Sequence, residues 1–131
     1  MAGTKSSKQY EAILEYVKGT TSHPTADSVY IEMRKIMPHI SLGTVYRNLS
    51  KLAGEEKILR LTAGLESEHF DGNTNLHYHV VCTKCGVIAD IEAEEPGALN
   101  CWAQQRYNGK IDKHSVMFYG VCAECEKNKS K

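Results

Sequence analysis

The stretch "SLGTVYRNLSKLAG", residues 41–54, decides how the first half of the chain is read. Ser41 is placed to cap a helix in which Val45, Leu49 and Leu52 recur on one side. The other side carries Thr44, Tyr46, Arg47 and Asn48, with Lys51 one turn further on and no acid between Ser41 and Gly54. A merely solvated helix face more often mixes Glu with Lys. These side chains can instead bond phosphates and base edges. Ser41, Thr44, Tyr46, Arg47, Asn48 and Lys51 are the candidate DNA-binding residues.

Two helices precede this one. "SKQYEAILEYVKG", residues 7–19, has Ser7 as N-cap, Tyr10, Ile13, Leu14 and Val17 at helical spacing, and Gly19 at its end. After the connector "TTSHPTAD", a second helix carries Val29, Ile31, Met33 and Ile36 and stops near Pro38. Beyond the third helix, "KILRLTAG" and "LESEHFDG" read as a hairpin around a Gly64 turn. Three helices and a hairpin fit a small helical bundle as well as a winged helix-turn-helix. The polar face of the third helix favours the winged helix, with that helix in the major groove.

The second half changes character. "HYHVVC", "GVIADIEA" and "HSVMFYGVC" are short β-type runs. Between the last two, "EEPGALNCWAQQRYNG" reads as a helix after Pro96, with Leu99, Trp102, Ala103 and Tyr107 as its core stripe and Gly109 closing it. The expected fold class is α+β: a winged-helix DNA-binding domain at 1–70 and a metal-binding α/β lobe at 71–131. The turn-rich stretch "FDGNTNL" is the boundary region.

Lys+Arg and Asp+Glu are both 16, so DNA binding has to come from local charge asymmetry and not from net charge. Lys5 and Lys8 precede the first acid, Glu11, and the tail "CEKNKSK" is basic and expected to fray. No apolar run approaches the ~20 residues of a membrane span, and no signal-peptide core opens the chain. The expected location is the cytoplasm, where thiols stay reduced and cysteines serve as metal ligands or buried thiols.

Cys82 and Cys85 form one CxxC pair, and Cys122 and Cys125 form another, each at the end of a β-type run. Two such pairs complete a closed tetrahedral shell for a structural Zn2+. Redox dithiols are the competing reading. Cys101 reads as a buried small hydrophobe. His77 and His79 alternate along a strand and project to one face. An isolated pair of this kind is more often two exposed strand histidines. Asp71, Asp90 and His23 lie where they could join them, and such a nitrogen and carboxylate set suits Fe2+, Mn2+ or Zn2+ better than Ca2+ or Mg2+.

The order "HPTAD", "SLGTVYRNL", "HFDGNTNLHYHVVCTKCG", "IADIE", "HSVMFYGVCAEC" resembles the ferric uptake regulator (Fur) family over about residues 7–125. Within it, the chain is most similar to the peroxide-sensing branch, PerR. The resemblance implies a homodimeric, metal-dependent repressor of transcription that binds double-stranded operator DNA. It implies a structural Zn2+ on Cys82, Cys85, Cys122 and Cys125, and a regulatory Fe2+ or Mn2+ on His23, Asp71, His77, His79 and Asp90. The iron-sensing branch tends to have glutamates at the two carboxylate positions, so Asp71 and Asp90 point to PerR. On that reading, peroxide reacting at bound Fe2+ oxidises His23 or His77, the metal is lost and the repressor leaves DNA. His114 matches a histidine of an extra metal site in some relatives, but Leu76 and Tyr78 stand where its partner donors would be, so it reads as a non-ligand. His69 stands where relatives often have arginine and has no role that the sequence assigns.

Other readings predict different features. A regulator of iron, manganese or zinc homeostasis keeps the fold but lacks the peroxide chemistry. A metalloenzyme needs a nucleophile or general base beside the metal, and no unassigned Glu, Ser or Cys is placed for it. A zinc-ribbon interaction module explains the cysteines but neither "GTVYRNL" nor the five-ligand set. No small-molecule substrate and no membrane partner are expected.

Overall fold

A computed structural model describes residues 7–62, 67–93, 95 and 97–128. The chain divides into two compact units, Met1–Thr74 and Asn75–Lys131. This division leaves Asp71 in the first unit.

The first unit contains α1 (Lys8–Gly19), α2 (Ala26–Arg34), α3 (Leu42–Gly54), β1 (Leu59–Leu61) and β2 (His69–Asp71). Each helix starts on a hydroxyl that satisfies an otherwise orphaned backbone N–H. Ser7 accepts from the Tyr10 N–H, Ser41 accepts from the Thr44 N–H, and Thr25 forms a reciprocal capping box with Ser28. The core is built from Ile13 and Val17 of α1, Val29 and Met33 of α2, and Val45, Leu49 and Leu52 of α3, closed by Ile58 and Phe70. β1 and β2 pair antiparallel with Arg60 opposite Phe70, forming the wing. The Gly64 turn lies outside the described residues.

α2 is shorter than expected. The helix ends at Arg34, short of Pro38, where the chain tightens: the Lys35 and Ile36 N–H groups bond three residues back, to the Glu32 and Met33 carbonyls. Of the apolar residues it was expected to carry, Ile31 and Ile36 are 59% and 64% exposed. Val29 and Met33 share a face at i,i+4, whereas Ile31 projects from the far side and Ile36 lies beyond the helix.

Gly72, directly after β2, is fixed by proximity to α1. A Cβ there would lie 2.5 Å from Lys18 Cα and 2.6 Å from the Val17 carbonyl oxygen, both backbone atoms that cannot swing aside. Gly72→Ala is therefore expected to destabilise this unit by about 2–3 kcal/mol, read as a lowered midpoint in urea unfolding followed by circular dichroism.

The second unit contains β3 (His77–Cys82), β4 (Ile88–Glu92), α4 (Ala98–Gln104), β5 (Met117–Gly120) and α5 (Ala123–Lys127). Its sheet has the order β4-β3-β5, with β4 antiparallel and β5 parallel to the central β3. Val81, Cys82 and Ile88 are its buried apolar residues, accompanied by buried His77 and His79.

Here the expected core stripe of α4 is overturned. Leu99, Trp102 and Tyr107 are 38%, 56% and 58% exposed, and Tyr107 follows the end of the helix. The apolar period is real, but no part of the described unit covers it. Cys101 is exposed, not buried, for the same reason. Pro96, expected to start this helix, lies outside the described residues. The tail expected to fray instead begins with α5, which follows Cys122 as its N-cap, while residues 129–131 lie outside the description. Among the described residues, no helix is long and apolar enough to cross a membrane.

Candidate metal centres and nucleic-acid face

The parallel register of β3 and β5 assembles the cysteines. Cys82 pairs with Gly120, and the Thr83 N–H continues the ladder onto the Gly120 carbonyl at 2.7 Å, so both CxxC turns emerge at the same end of the sheet. The first turn closes through Gly86, whose φ of +82° is available to glycine at no steric cost. All four sulfurs fall within 4.8 Å of one another, and Cys85 Sγ lies 3.7 Å from Cys122 Sγ. Zinc–sulfur bonds of ~2.3 Å at tetrahedral angles give sulfur–sulfur edges of about 3.8 Å.

The electrostatics agree. The backbone N–H groups of Cys122, Cys85 and Lys84 point at Cys82 and pull its thiol down to about 6, with the Lys84 and Cys85 N–H groups both 3.4 Å from the sulfur. Cys125 is pushed up to about 12 by the neighbouring sulfurs of Cys122 and Cys82. One sulfur is prepared as a thiolate while another resists ionising beside it. Four thiolates at this spacing need a cation, and this closed four-sulfur set suits a structural Zn2+.

Each unit carries part of the histidine and aspartate set. In the first, His23 is 3% exposed and has a left-handed φ of +52° directly before Pro24. Three consecutive residues of β2 secure it. His69 Nδ1–H donates to the His23 carbonyl at 2.7 Å, the Phe70 N–H donates to the Pro24 carbonyl at 2.8 Å, and Asp71 Oδ2 lies 3.5 Å from His23 Nε2. Asp71 Oδ1 accepts the Asn73 N–H at 2.9 Å, which fixes the carboxylate. This gives His69 the role that the sequence could not supply.

In the second unit, His79 sits opposite Asp90 in the β3–β4 ladder. Asp90 Oδ1 lies 3.2 Å from His77 Nε2 and 3.4 Å from His79 Nε2. His77 Nδ1–H donates to the Asn75 carbonyl at 2.7 Å, which fixes the ring with Nε2 turned toward the carboxylate. Imidazole nitrogens gathered on one carboxylate suit a transition metal. His114 bonds Asn100 at 2.5 Å and the Tyr78 hydroxyl at 3.2 Å.

On α3 the six DNA-binding candidates divide. Ser41 and Thr44 are occupied with capping, and Asn48 Nδ2 donates to the Thr44 carbonyl at 2.9 Å. Tyr46 and Arg47 are exposed, with Arg47 steadied by Thr44 Oγ1 at 3.2 Å. Lys51 lies 5.1 Å over the Tyr10 ring. Sequence reasoning missed Glu68 and Arg60 of the wing, which reach the same face. Nothing local in the sequence signals their meeting.

Residues 1–119 match the model of the ferric uptake regulator family. The chain is 36% identical over 125 residues to a peroxide-responsive repressor, PerR, from Staphylococcus aureus, covering 95% of this chain and 84% of the relative. Among solved structures it is similar to a Campylobacter jejuni peroxide stress regulator, with a TM-score of 0.80 and 31% identity, covering 89% of this chain and 88% of that one. The Helicobacter pylori ferric uptake regulator matches with a TM-score of 0.81 at 24% identity, covering 95% and 84%, a likeness of fold.

Proposed function

The chain belongs to the ferric uptake regulator family and is a metal-dependent regulator, and from that premise we propose that it is a peroxide-responsive transcriptional repressor. It acts as a cytoplasmic homodimer on double-stranded operator DNA and not as an enzyme. The reading rests above all on the carboxylates of the two histidine clusters, which are Asp71 and Asp90 rather than glutamates. The identity with the staphylococcal PerR supports it.

In this reading His23 and Asp71 of the first unit, with His77, His79 and Asp90 of the second, hold one regulatory Fe2+ or Mn2+. Fe2+ held there would supply the reducing power for hydrogen peroxide to oxidise a neighbouring imidazole, and Mn2+ would not. His69 fixes the backbone at His23, and the Asn75 carbonyl orients the His77 ring, before any metal arrives. Ligands drawn from both units favour one arrangement of the DNA-binding helices over others, to the extent that the closed arrangement binds metal more tightly. Oxidation of His23 or His77 removes a donor and that preference with it. Before oxidation, in the metal-bound arrangement, α3 presents Tyr46 and Arg47 to the major groove, with Ser41, Thr44 and Asn48 shaping its start and Lys51 adding charge. The exposed Leu99, Trp102, Phe118 and Tyr119 supply an apolar surface for a second copy.

The test is to load the protein anaerobically with Fe2+ or Mn2+, add stoichiometric peroxide, and map oxygen addition by peptide mass spectrometry. The expected result is oxygen on His23 or His77 in the Fe2+ form alone, with DNA binding lost. Intact histidines, with DNA binding that follows metal concentration only, would make the protein a metal-homeostasis regulator.

A further inference from the structure

Where α3 meets the wing, donors from different elements converge on one carboxylate. Glu68, directly before β2, accepts from the Tyr46 hydroxyl at 3.2 Å and from Arg60 Nη1 at 3.3 Å. Arg60 Nη2 donates to Ser50 Oγ at 2.9 Å, and the guanidinium lies 5.7 Å over the Phe70 ring. Arg60 is thus oriented by a hydroxyl, a ring and an anion while its side chain remains 30% exposed, and that of Glu68 34%.

This is the chemistry of a phosphate site. A guanidinium fork binds phosphate oxygens in the same bidentate manner as a carboxylate, and the phenol adds a neutral donor. α3 itself carries no acid, so the only negative charge in this group comes from the wing. A partly exposed ion pair contributes little in water, and a phosphate can displace it cheaply.

We propose that Arg60, Tyr46 and Ser50 form a binding site for a backbone phosphodiester of duplex DNA, and that Glu68 occupies this site while DNA is absent. The proposal rests on the DNA-binding reading above and adds wing residues to it. Glu68 is an internal competitor: every docking event has to displace it. Because phosphates carry no base identity, the competition affects all sequences alike.

The experiment measures binding of the full chain, loaded with Zn2+ and Mn2+, to a fluorescent duplex of mixed sequence by anisotropy across a KCl series. Glu68→Gln is expected to tighten binding roughly 3- to 10-fold at low salt. Arg60→Gln is expected to weaken it about 5- to 10-fold and to lower the slope of log K against log salt by about one. Arg60→Gln/Glu68→Gln is expected to lose the gain of Glu68→Gln, because the two residues act on one site. Thermal unfolding of each variant separates binding from folding. A Glu68→Gln protein that melts earlier without binding tighter would make Glu68 a structural brace and overturn the proposal. Wild-type slope in Arg60→Gln would also overturn it. If wild type binds and both variants bind identically, this inference alone falls. If wild type binds no duplex, the DNA-binding reading falls and takes this inference with it.

Discussion

Cys122→Ser is expected to abolish zinc retention and to unfold the C-terminal unit at room temperature. The apolar core of that unit is thin, with Val81, Cys82 and Ile88 as its buried apolar side chains. β5 is anchored by its pairing with β3 and by the cysteine cluster at the end of that pairing. A structural zinc site carries about 10–16 kcal/mol of binding free energy, and in small domains this is folding free energy. Losing one of four thiolates leaves an incomplete shell, and the remaining core is too small to compensate. The first unit has its own core around Leu49 and Phe70 and should keep its helical signal. Elemental analysis should fall from one zinc per chain to none, with loss of the β component of the circular dichroism spectrum. A variant that keeps its zinc and its unfolding midpoint would show that the cysteines do not hold the lobe together.

Asp90→Ala should abolish Mn2+-dependent DNA binding while leaving the zinc in place. One carboxylate oxygen faces both His77 and His79, so its removal affects two further donors at once. Deleting even an outer partner of a ligand costs roughly 10- to 100-fold in metal affinity, so loss of the ligand itself should cost at least about 100-fold. Calorimetric titration with Mn2+ reads the affinity, and anisotropy with DNA at fixed Mn2+ reads the consequence. Asp90→Glu supplies the complementary test. It should retain metal-dependent DNA binding but lose most of the histidine oxidation by peroxide in the Fe2+ form. Unchanged Mn2+ dependence in Asp90→Ala would remove this residue from the regulatory set.

The features legible in the sequence were those whose physics is local. Ser7 and Ser41 announce their helices because a hydroxyl at an N-cap bonds a backbone group three residues away. The CxxC pairs are readable because chelation fixes their spacing. What escaped depended on partners distant in the chain. Leu99 and Trp102 look like core residues by type and period, but periodicity says which residues share a face and not whether anything covers it. The bond from His69 to the His23 carbonyl spans 46 positions, and the contact between Glu68 and Tyr46 spans 22; neither leaves a pattern in its own neighbourhood. α5 was hidden because a five-residue helix needs no apolar period of its own.

The parallel pairing of β3 with β5 also sets a timetable for biosynthesis. Cys85 and Cys122 are 37 positions apart, with β4, α4 and β5 between them. At about 5–20 residues per second, the ribosome delivers the second pair roughly two to seven seconds after the first. During that interval the nascent chain carries an open dithiol, vulnerable to oxidation and to capture by the wrong ion. A cell under oxidative stress would therefore damage newly made copies of this protein at Cys82 and Cys85 before they could take up zinc, while copies already folded have all four sulfurs gathered in one cluster.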